Sequence, residues 1–350
     1  MIFYHIGPPL AIDIERMAQM AYNQSMIRID SSGVMTSYAC SAACAHCLYC
    51  SAPTAASGFM DAAAAEKIAR TLRRMDVSSM HIGGGEPFLD LASLRLTIRA
   101  LGENGIGIDY VETNAFWHRD DGRSEELVRE LDVPLMVSID PFHAEFVPPG
   151  RPLTLIRLLS AMGWDFFVWQ ERYLKGLLPL ARERRATRAD LQNLLGEDYL
   201  FETAREYGLS ANGRALTILR KKLPARPAEA YLDGAPCRVL DGRHCHIDLF
   251  GNFVPPGCPG IAVDIEDIVQ DRLSPEKYPV ATRLMRGGVR ALYEYARESG
   301  FAPGAYISKC ELCFFIREHL ARVNPSRDVN PACFYESMRA AYARETEGDV

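Results

Sequence analysis

Three cysteines lie close together early in the chain, in the run SYACSAACAHCLYC. Cys40, Cys44 and Cys47 have the spacing CX3CX2C and follow a stretch in which apolar residues alternate. Three thiolates cannot complete the four-cysteine coordination that a structural zinc or a conventional iron–sulfur cluster prefers. A [4Fe–4S] cluster held by three cysteines leaves one iron open to an exogenous ligand. A closed zinc site and a redox or chance grouping of cysteines are the alternatives.

A glycine-rich segment follows about thirty residues later, where the apolar stretch SSMHI runs into GGGEPFLD. Glycines at the end of a strand let a ligand approach the backbone closely, because no Cβ intervenes. The carboxylate of Glu86, beside Gly84 and Gly85, can accept hydrogen bonds from an ammonium group. Taken alone this segment is typical of a turn, and its meaning depends on the cysteine motif before it.

Together the two motifs resemble those of the radical S-adenosylmethionine (SAM) superfamily. In that superfamily SAM chelates the open iron through its amino and carboxylate groups, and a Gly-Gly-Glu motif holds the amino group. The resemblance implies these roles for Gly84, Gly85 and Glu86, with SAM and a SAM-binding [4Fe–4S] cluster as cofactors. His46 stands where the family usually has an aromatic residue, and the resemblance implies that it lies against the adenine.

Two predicted strands further along end in polar residues that the resemblance connects with SAM. Glu112 and Asn114 end the stretch IDYVETN, similar to an E-T-N-G motif, although Ala115 stands where glycine is common. Ser138 ends the stretch LMVSID, and in the family a serine here bonds the ribose or carboxylate of SAM. Asn114 is equally compatible with a helix cap or turn, and Ser138 with a satisfied hydroxyl at the mouth of a barrel.

Asp140 and His143 follow directly in the segment DPFH, which leads into the predicted cavity. An aspartate and a histidine at this separation can position a substrate or move a proton, and we take them as candidate catalytic residues. The alternative for His143 is a solvated loop histidine. Four aromatic residues of the next strand region are expected in the core of the barrel: Trp164, Phe166, Phe167 and Trp169.

Composition limits the class of protein. The chain has 350 residues, of which 48% are hydrophobic and 24% charged, and a net charge of −6. The acidic balance argues against general nucleic-acid binding. No run of 18 apolar residues and no signal peptide are found, so a membrane span is not expected. Ten cysteines grouped in such motifs indicate metal binding in a reducing cytoplasm rather than a disulfide framework.

Strand-like and helix-like segments alternate between residues 33 and 220, which favours an α/β fold with a parallel sheet or barrel. The resemblance implies a partial (β/α)6 barrel whose sites gather at the C-terminal ends of the strands. The predicted strands are 35–39, 78–84, 108–114, 135–140, 165–170 and 214–219, and the clearest predicted helices are 61–75 and 91–105. A longer helical insert, with Thr187 as a cap, is expected within 171–210.

Three regions are expected from this pattern. Residues 1–30 form an N-terminal helical extension, and residues 31–225 form the radical SAM partial barrel. Residues 226–350 form a small cysteine-rich α+β domain. The boundary is set at the stretch KKLPARPAEAYLDGAP, which is rich in proline, alanine and charge.

The C-terminal region contains six cysteines, and four of them are predicted to bind an auxiliary [4Fe–4S] cluster. Cys245 and Cys258 flank a predicted hairpin that turns at Gly251-Asn252, and Cys310 and Cys313 form a distant CX2C. This arrangement resembles the Twitch and SPASM extensions of radical SAM enzymes, which bind auxiliary clusters. A full SPASM extension has seven cysteines, so the single-cluster Twitch type is the first choice.

Other arrangements of these thiols stay open. Two clusters would recruit Cys237 and Cys333, a zinc ion would use the same four thiolates, and purely structural thiols would bind nothing. Cys50 lies three residues beyond the first motif and is interpreted as a small buried apolar residue.

The resemblance implies reductive cleavage of SAM to a 5′-deoxyadenosyl radical, which abstracts a hydrogen atom from a substrate. An external one-electron donor of the flavodoxin or ferredoxin type would supply the electron, and an auxiliary cluster would assist oxidation or bind the substrate. Only 39 residues precede Cys40, too few for a cobalamin or leader-peptide-binding domain, which favours a small-molecule substrate. The alternatives are a peptide-modifying maturase and, from another class, a non-enzymatic iron–sulfur electron carrier, which would not need the GGGEP motif.

Overall fold

The fold was analysed on a computed structural model, which describes residues 27–29, 31–180 and 184–346. The predicted N-terminal helical extension, residues 1–30, lies outside the described residues except for 27–29, which are irregular.

One mixed sheet organises the described chain. Its order is β5-β4-β3-β2-β1-β7-β8-β9. Strands β1 to β5 and β7 run parallel to one another, and β8 pairs antiparallel with both β7 and β9. A separate antiparallel pair is formed by β6 and β10. The strands are β1 (Ser32–Met35), β2 (Ser79–Gly83), β3 (Gly107–Thr113), β4 (Leu135–Ser138), β5 (Phe166–Trp169), β6 (Arg226–Pro227), β7 (Cys245–Ile247), β8 (Asn252–Val254), β9 (Val263–Asp264) and β10 (Ala305–Tyr306).

Helices follow most strands of the parallel part and dominate the C-terminal region. No helix in the described part of the chain is long and apolar enough to cross a membrane. The helices are α1 (Ala62–Arg74), α2 (Leu91–Glu103), α3 (Arg123–Leu131), α4 (Pro141–Ala144), α5 (Gly150–Met162), α6 (Arg172–Leu177), α7 (Arg188–Leu195), α8 (Tyr199–Glu206), α9 (Ala215–Arg220), α10 (Ile265–Val269), α11 (Pro279–Glu298, kinked at Gly287 and Gly288), α12 (Lys309–Val323) and α13 (Ala332–Thr346).

The predicted helices form where capping residues and apolar periodicity agree. The Asp61 carboxylate accepts a hydrogen bond from the Ala64 backbone N–H at 2.8 Å and caps α1. Thr187 and Asp190 form a reciprocal capping box at the start of α7. The α/β class, the parallel sheet, the two long early helices and the helical insert are therefore confirmed.

The two faces of the sheet differ in their surroundings. Alternate strand residues such as Val34, Ile82 and Val111 are buried in one hydrophobic cluster with Ile68 of α1 and Leu94 of α2. The other face, here called the concave face, is not covered by these helices. It presents small, polar and aromatic side chains: Gly33, His81, Tyr110, Glu112, Phe167 and Trp169.

Two aromatic residues expected in the core lie instead on this concave face. Phe167 is 42% exposed and Trp169 is 45% exposed. Their neighbours in β5, Phe166 and Val168, pack against the hydrophobic clusters on the opposite side. Because side chains alternate along a strand, packing of one pair directs the other pair outward.

The sixth predicted strand, 214–219, is wrong, because this segment forms helix α9. Residues Ala215–Leu219 are buried on every side, and a short continuous apolar run does not distinguish a strand from a buried helix. The first strand also lies earlier than predicted, at Ser32–Met35 rather than at 35–39. The parallel strand that completes the sheet is β7, which pairs with β1.

The sheet continues across the predicted domain boundary near residue 225, since β7, β8 and β9 extend it from the β1 edge. The Cys245–Ile247 and Asn252–Val254 strands form the predicted hairpin. The turn falls at residues 248–251, where Gly251 has a positive φ of 76° and its N–H bonds the Asp248 carbonyl at 2.9 Å. The division into domains stays a prediction.

Candidate active site

The cysteine motif forms a loop that is closed at its base by backbone hydrogen bonds. The Cys40 N–H donates to the Ala52 carbonyl at 3.2 Å, and the Cys47 N–H donates to the Cys44 carbonyl at 3.0 Å. Cys40 and Cys44 are buried, and Cys47 is half-buried. Burial, followed by repulsion from the neighbouring Cys44, raises the pKa of the Cys40 thiol well above its usual range. Burial therefore favours the protonated thiol when nothing is bound, and a bound cation would offset this effect by stabilising the thiolate.

The glycine segment packs directly against the chain leading into this loop. The Gly85 N–H donates to the Ser37 carbonyl at 2.8 Å, and the Glu86 N–H donates to the Ala39 carbonyl at 3.0 Å. A Cβ added at Gly85 would lie 1.7 Å from the Ala39 oxygen, and Gly84 has a positive φ of 121°. Both glycines are therefore required for the close approach of the two motifs.

Glu86 is buried and connects the glycine segment to the end of β3. One carboxylate oxygen accepts from the Thr113 hydroxyl at 2.9 Å and the Phe88 N–H at 3.3 Å, and the other accepts from the Asn114 N–H at 2.8 Å. Burial raises its pKa to about 7, although these bonds oppose the shift. A carboxylate has about four acceptor sites, so one stays available for a further donor.

Replacing Glu86 with glutamine tests the predicted contact with the SAM amino group. We expect SAM binding to weaken by about 1.5–3 kcal/mol, because a charge-assisted hydrogen bond is lost. Isothermal titration of the cluster-loaded protein with SAM measures the change. A thermal unfolding midpoint recorded in parallel reports the loss of the internal bonds to Thr113 and Asn114. Unchanged SAM affinity with a lowered midpoint would make Glu86 a purely structural residue.

The predicted strand-end residues converge beside the cysteine loop. Asn114, Ser138, Asp140 and His143 line one small cavity. The Asn114 amide nitrogen lies 3.7 Å from the Cys40 sulfur and 3.0 Å from the Ser41 hydroxyl. The sequence therefore identified a set of residues that the fold brings to one rim.

Asp140 and His143 form a buried pair at the start of α4. The Asp140 carboxylate accepts from the His143 N–H of the backbone at 2.9 Å and lies 2.7 Å from the His143 ring Nδ1. Burial alone would raise the pKa of Asp140, but attraction to His143 outweighs it and holds the pKa below its usual range. Burial would likewise lower the pKa of His143, but Asp140 and Cys44 raise it well above the usual value. Both shifts favour a carboxylate paired with an imidazolium.

His46 completes a three-residue group with this pair. Its ring stacks on Phe142 at a centroid distance of 4.5 Å and meets His143 edge-on at 5.2 Å. Ligand atoms of His46, Asp140 and His143 all lie within 4.8 Å of one another. The His46 Nδ1 is buried with no hydrogen-bond partner in the described part of the chain. Its predicted contact with adenine stays a prediction.

Glu112 lies on the concave face rather than on the rim with Asn114. One of its carboxylate oxygens is 3.5 Å from the His81 Nε2, and a Cβ added at Gly83 would lie 2.6 Å from the other oxygen. Burial, followed by repulsion from Glu86, raises the pKa of Glu112 to about 7. Its predicted contact with SAM stays a prediction.

Arg214 is a site residue that the sequence reasoning missed. It is 4% exposed, its Nε donates to the Cys44 carbonyl at 2.9 Å, and its Nη2 donates to the Ser51 carbonyl. Its backbone N–H also donates to the Cys47 carbonyl at 3.0 Å. Residues 214–219 were predicted to form a strand, and nothing in that pattern indicates that Arg214, at the start of the segment, contacts the cysteine loop.

Replacing Arg214 with methionine is expected to lower both stability and the iron content of the cysteine loop. Each lost charge-assisted hydrogen bond contributes about 1.5–3 kcal/mol, and the loop carbonyls would be buried without partners. Iron analysis after anaerobic reconstitution and thermal unfolding measure the two effects. Arg214→Lys is the control, since it keeps the charge but not the forked geometry. Normal iron content in Arg214→Met would contradict a clamping role.

A second group of cysteines lines a cavity of about 50 Å³ in the C-terminal region. Its cysteines are Cys237, Cys258, Cys310 and Cys313. Burial, followed by repulsion from Cys313, raises the pKa of Cys237 to about 11 and that of Cys258 to about 12. Arg317 and Lys309 also line the cavity and bring positive charge to the thiols.

This set differs from the predicted auxiliary ligands, in which Cys245 stands in the place of Cys237, and the identity of the ligands stays a prediction. Cys245 is fully buried in the hydrophobic cluster of the sheet and does not line the cavity. Its neighbours His244 and His246 point to the concave face, so alternation along β7 directs Cys245 toward the helices. Spacing alone does not reveal this orientation.

Two more cysteines are packing residues in the described structure. Cys50 is 1% exposed in the C-terminal hydrophobic cluster, and Cys333 is 6% exposed in the cluster of the sheet. Neither lines the cavity of the four cysteines. The placement of Cys50 agrees with its interpretation as a small apolar residue.

The fold resembles several solved structures at low sequence identity. One is Streptococcus suis SuiB bound to S-adenosylmethionine, at 16% identity and a TM-score of 0.45, with 80% of this chain and 72% of that chain covered. Another is BtrN in complex with AdoMet and 2-DOIA, at 12% identity and a TM-score of 0.40, with 75% and 89% covered. A third is anSMEcpe with bound AdoMet, at 14% identity and a TM-score of 0.42, with 91% and 98% covered.

No curated protein sequence matches this chain significantly. Residues 33–145 match the family described as "4Fe-4S single cluster domain". The matched stretch contains the cysteine loop, the glycine segment and the strand ends up to His143. Residues 33–145 are thus similar to a domain that holds a single [4Fe–4S] cluster, in agreement with the predicted cofactor, while the ligand residues stay a prediction.

Proposed function

We propose that this chain is a radical SAM enzyme. The observation that carries the proposal is the convergence of a three-cysteine loop, a glycine segment packed against it and a polar rim beside it. When bound and reduced, the cluster would cleave SAM to give a 5′-deoxyadenosyl radical that abstracts a hydrogen atom from the substrate. The hard chemistry belongs to the cofactors, and the protein supplies binding, orientation and exclusion of water.

The residues of the rim would bind SAM in separate ways. Cys40, Cys44 and Cys47 would hold three irons and leave the fourth open. The backbone at Gly84 and Gly85 would let SAM approach, and Glu86 would accept from its amino group. The buried Asn114 and Ser138 would bond its ribose or carboxylate, which suits their common cavity.

Asp140 and His143 would act at the substrate side of this rim. The Asp140 carboxylate lies 2.7 Å from the His143 Nδ1 and favours a proton on that ring. The histidine is 18% exposed in its side chain, whereas the aspartate is fully buried. We propose that His143 contacts the substrate and that Asp140 orients the His143 ring.

The C-terminal cavity would hold one auxiliary [4Fe–4S] cluster, with Cys237, Cys258, Cys310 and Cys313 as ligands. Cys310 lies in the first turn of α12 and Cys313 at the start of its second turn, near the helix end whose dipole favours thiolates. The Asn212 side chain and the buried Arg317 line the same cavity. Polar and positively charged groups in this position would stabilise a thiolate-bound cluster and tune its potential. A zinc ion on the same thiolates is the alternative outcome.

The substrate would lie on the concave face, which is the open side of the sheet. Exposed Phe167 and Trp169 and the half-buried Tyr110 form an aromatic surface there. Such a surface suits an apolar or planar part of the substrate. A small molecule is the proposed substrate class, with a peptide side chain as the alternative, and an external flavodoxin or ferredoxin would supply the electron.

Anaerobic reconstitution with iron and sulfide, followed by incubation with SAM and dithionite, tests the proposal. We expect 5′-deoxyadenosine to form at more than the rate of a control without protein, with quantification by liquid chromatography. Protein with a normal iron–sulfur spectrum but no SAM binding and no 5′-deoxyadenosine would favour the electron carrier instead.

A further inference from the structure

Three histidines that belong to neither group of cysteines meet on the concave face. His81 is on β2, His246 is on β7, and His244 directly precedes β7. One ring nitrogen of each lies within 4.8 Å of the other two. The Nε2 atoms of His81 and His246 are 3.0 Å apart. The radical chemistry proposed above uses none of these rings.

The outer nitrogens of two of these rings are held by hydrogen bonds. The Tyr49 hydroxyl lies 2.6 Å from the His246 Nδ1, and the Ser31 hydroxyl lies 3.0 Å from the His244 Nδ1. When these hydroxyls accept a hydrogen bond from Nδ1–H, the Nε2 lone pair of each ring is available to a metal, as in metal-ligating histidines.

His81 is fixed in a different way. Its ring stacks on Tyr110 at a centroid distance of 5.0 Å and an angle of 8°. On its other side it lies against Gly33, where an added Cβ would be 2.2 Å from the His81 Nε2. Glycine at position 33 therefore makes the space that the imidazole occupies.

A simple hydrogen bond between His81 and His246 accounts for only part of this arrangement. It uses one proton between two rings, whereas the His244 ring stacks on His81 at a centroid distance of 5.7 Å and meets His246 edge-on at 5.2 Å. The Glu112 carboxylate lies 3.5 Å from the His81 Nε2, at one side of the group. A cation bound among the three ring nitrogens would use all three rings.

We propose that His81, His244 and His246 bind one divalent transition-metal ion, with the Glu112 carboxylate beside it. Three imidazole nitrogens and a carboxylate suit zinc and its neighbours in the first transition row, whereas magnesium and calcium prefer oxygen ligands. His244 is exposed among the described residues, which gives the ion a path from solvent. The site is distinct from the iron–sulfur centres, because its ligands are nitrogen and oxygen.

Zinc binding to the cluster-loaded protein tests this site without reference to SAM cleavage. Reconstituted protein is incubated with Zn²⁺ and desalted, and its zinc and iron are counted. X-ray absorption at the zinc edge then identifies the ligands, because Zn–N distances are about 2.0 Å and Zn–S distances about 2.3 Å. We expect about one zinc per chain with nitrogen and oxygen ligands only.

Variants assign the site to the three histidines. His244→Gln changes an exposed side chain and is expected to lose the zinc while keeping its iron. His246→Gln should do the same, and Tyr49→Phe should weaken zinc binding by about 10- to 100-fold, because the remote nitrogen loses its partner. His319→Gln is the matched control, since this histidine bonds Ser299 in the C-terminal region.

Three results would overturn the proposal. They are sulfur ligands at the zinc edge, zinc retained in both His244→Gln and His246→Gln, and no zinc above the background of the desalted control. Zinc bound as expected in a protein that cleaves no SAM would support this site and count only against the proposed enzyme function.

Discussion

Replacing any one of Cys40, Cys44 and Cys47 with alanine is expected to abolish 5′-deoxyadenosine formation and to remove about four irons per chain. Each thiolate would hold a different iron, so the loss of one leaves the cluster with two ligands and no defined open iron. The fold should persist, because the loop is closed at its base by the Cys40–Ala52 backbone bond, which a side-chain change does not remove. Iron analysis, visible absorbance and product chromatography measure the three effects.

Cys50→Ala is the matched control for this series. Cys50 lies three residues beyond Cys47 but packs in the C-terminal hydrophobic cluster, so its substitution should leave iron content and SAM cleavage near normal. Retained SAM cleavage in any of the three triad variants would refute their assignment as ligands of the SAM-binding cluster. Loss of activity in Cys50→Ala, with the fold intact, would move the ligand set along the chain.

The second large effect is expected from Cys237. Wild-type protein should bind about eight irons per chain, and Cys237→Ala should keep about four, held by the triad. Cys245→Ala is the discriminating control: it replaces the cysteine that spacing favours, yet it should keep about eight irons because Cys245 is buried in the core of the sheet. The comparison isolates ligand identity, since both substitutions remove one thiol from the same region.

A triple variant identifies the metal of the C-terminal site. With Cys40, Cys44 and Cys47 all replaced, the C-terminal site should keep about four irons and an iron–sulfur absorbance. Zinc without iron in that protein would make the C-terminal region a structural cap and remove its electron-transfer role. If Cys237→Ala keeps about eight irons and Cys245→Ala keeps only about four, Cys245 is the ligand, as first expected from the sequence.

Much of the fold follows from local signals in the sequence. The helices α1 and α2 and the capping box at Thr187 formed as predicted, because a cap, apolar periodicity and a terminating residue act within a few residues of one another. The segment 214–219 did not form the predicted strand, because a short apolar run packs equally well as a strand or as a buried helix. The helix that it forms begins directly after Arg214, whose side chain contacts the cysteine loop.

For the candidate sites, the sequence by itself determined the cysteine loop, the glycine segment and the strand ends beside them. Their ligands are close in the chain or follow parallel strands, whose carboxyl ends must meet at one edge of the sheet. Only the tertiary structure places Cys237, rather than Cys245, beside Cys258, Cys310 and Cys313. It also brings Arg214 to the cysteine loop, and His81 to His244 and His246. Each of these depends on which face of an element a side chain occupies and on contacts between residues distant in the sequence, which no local spacing records.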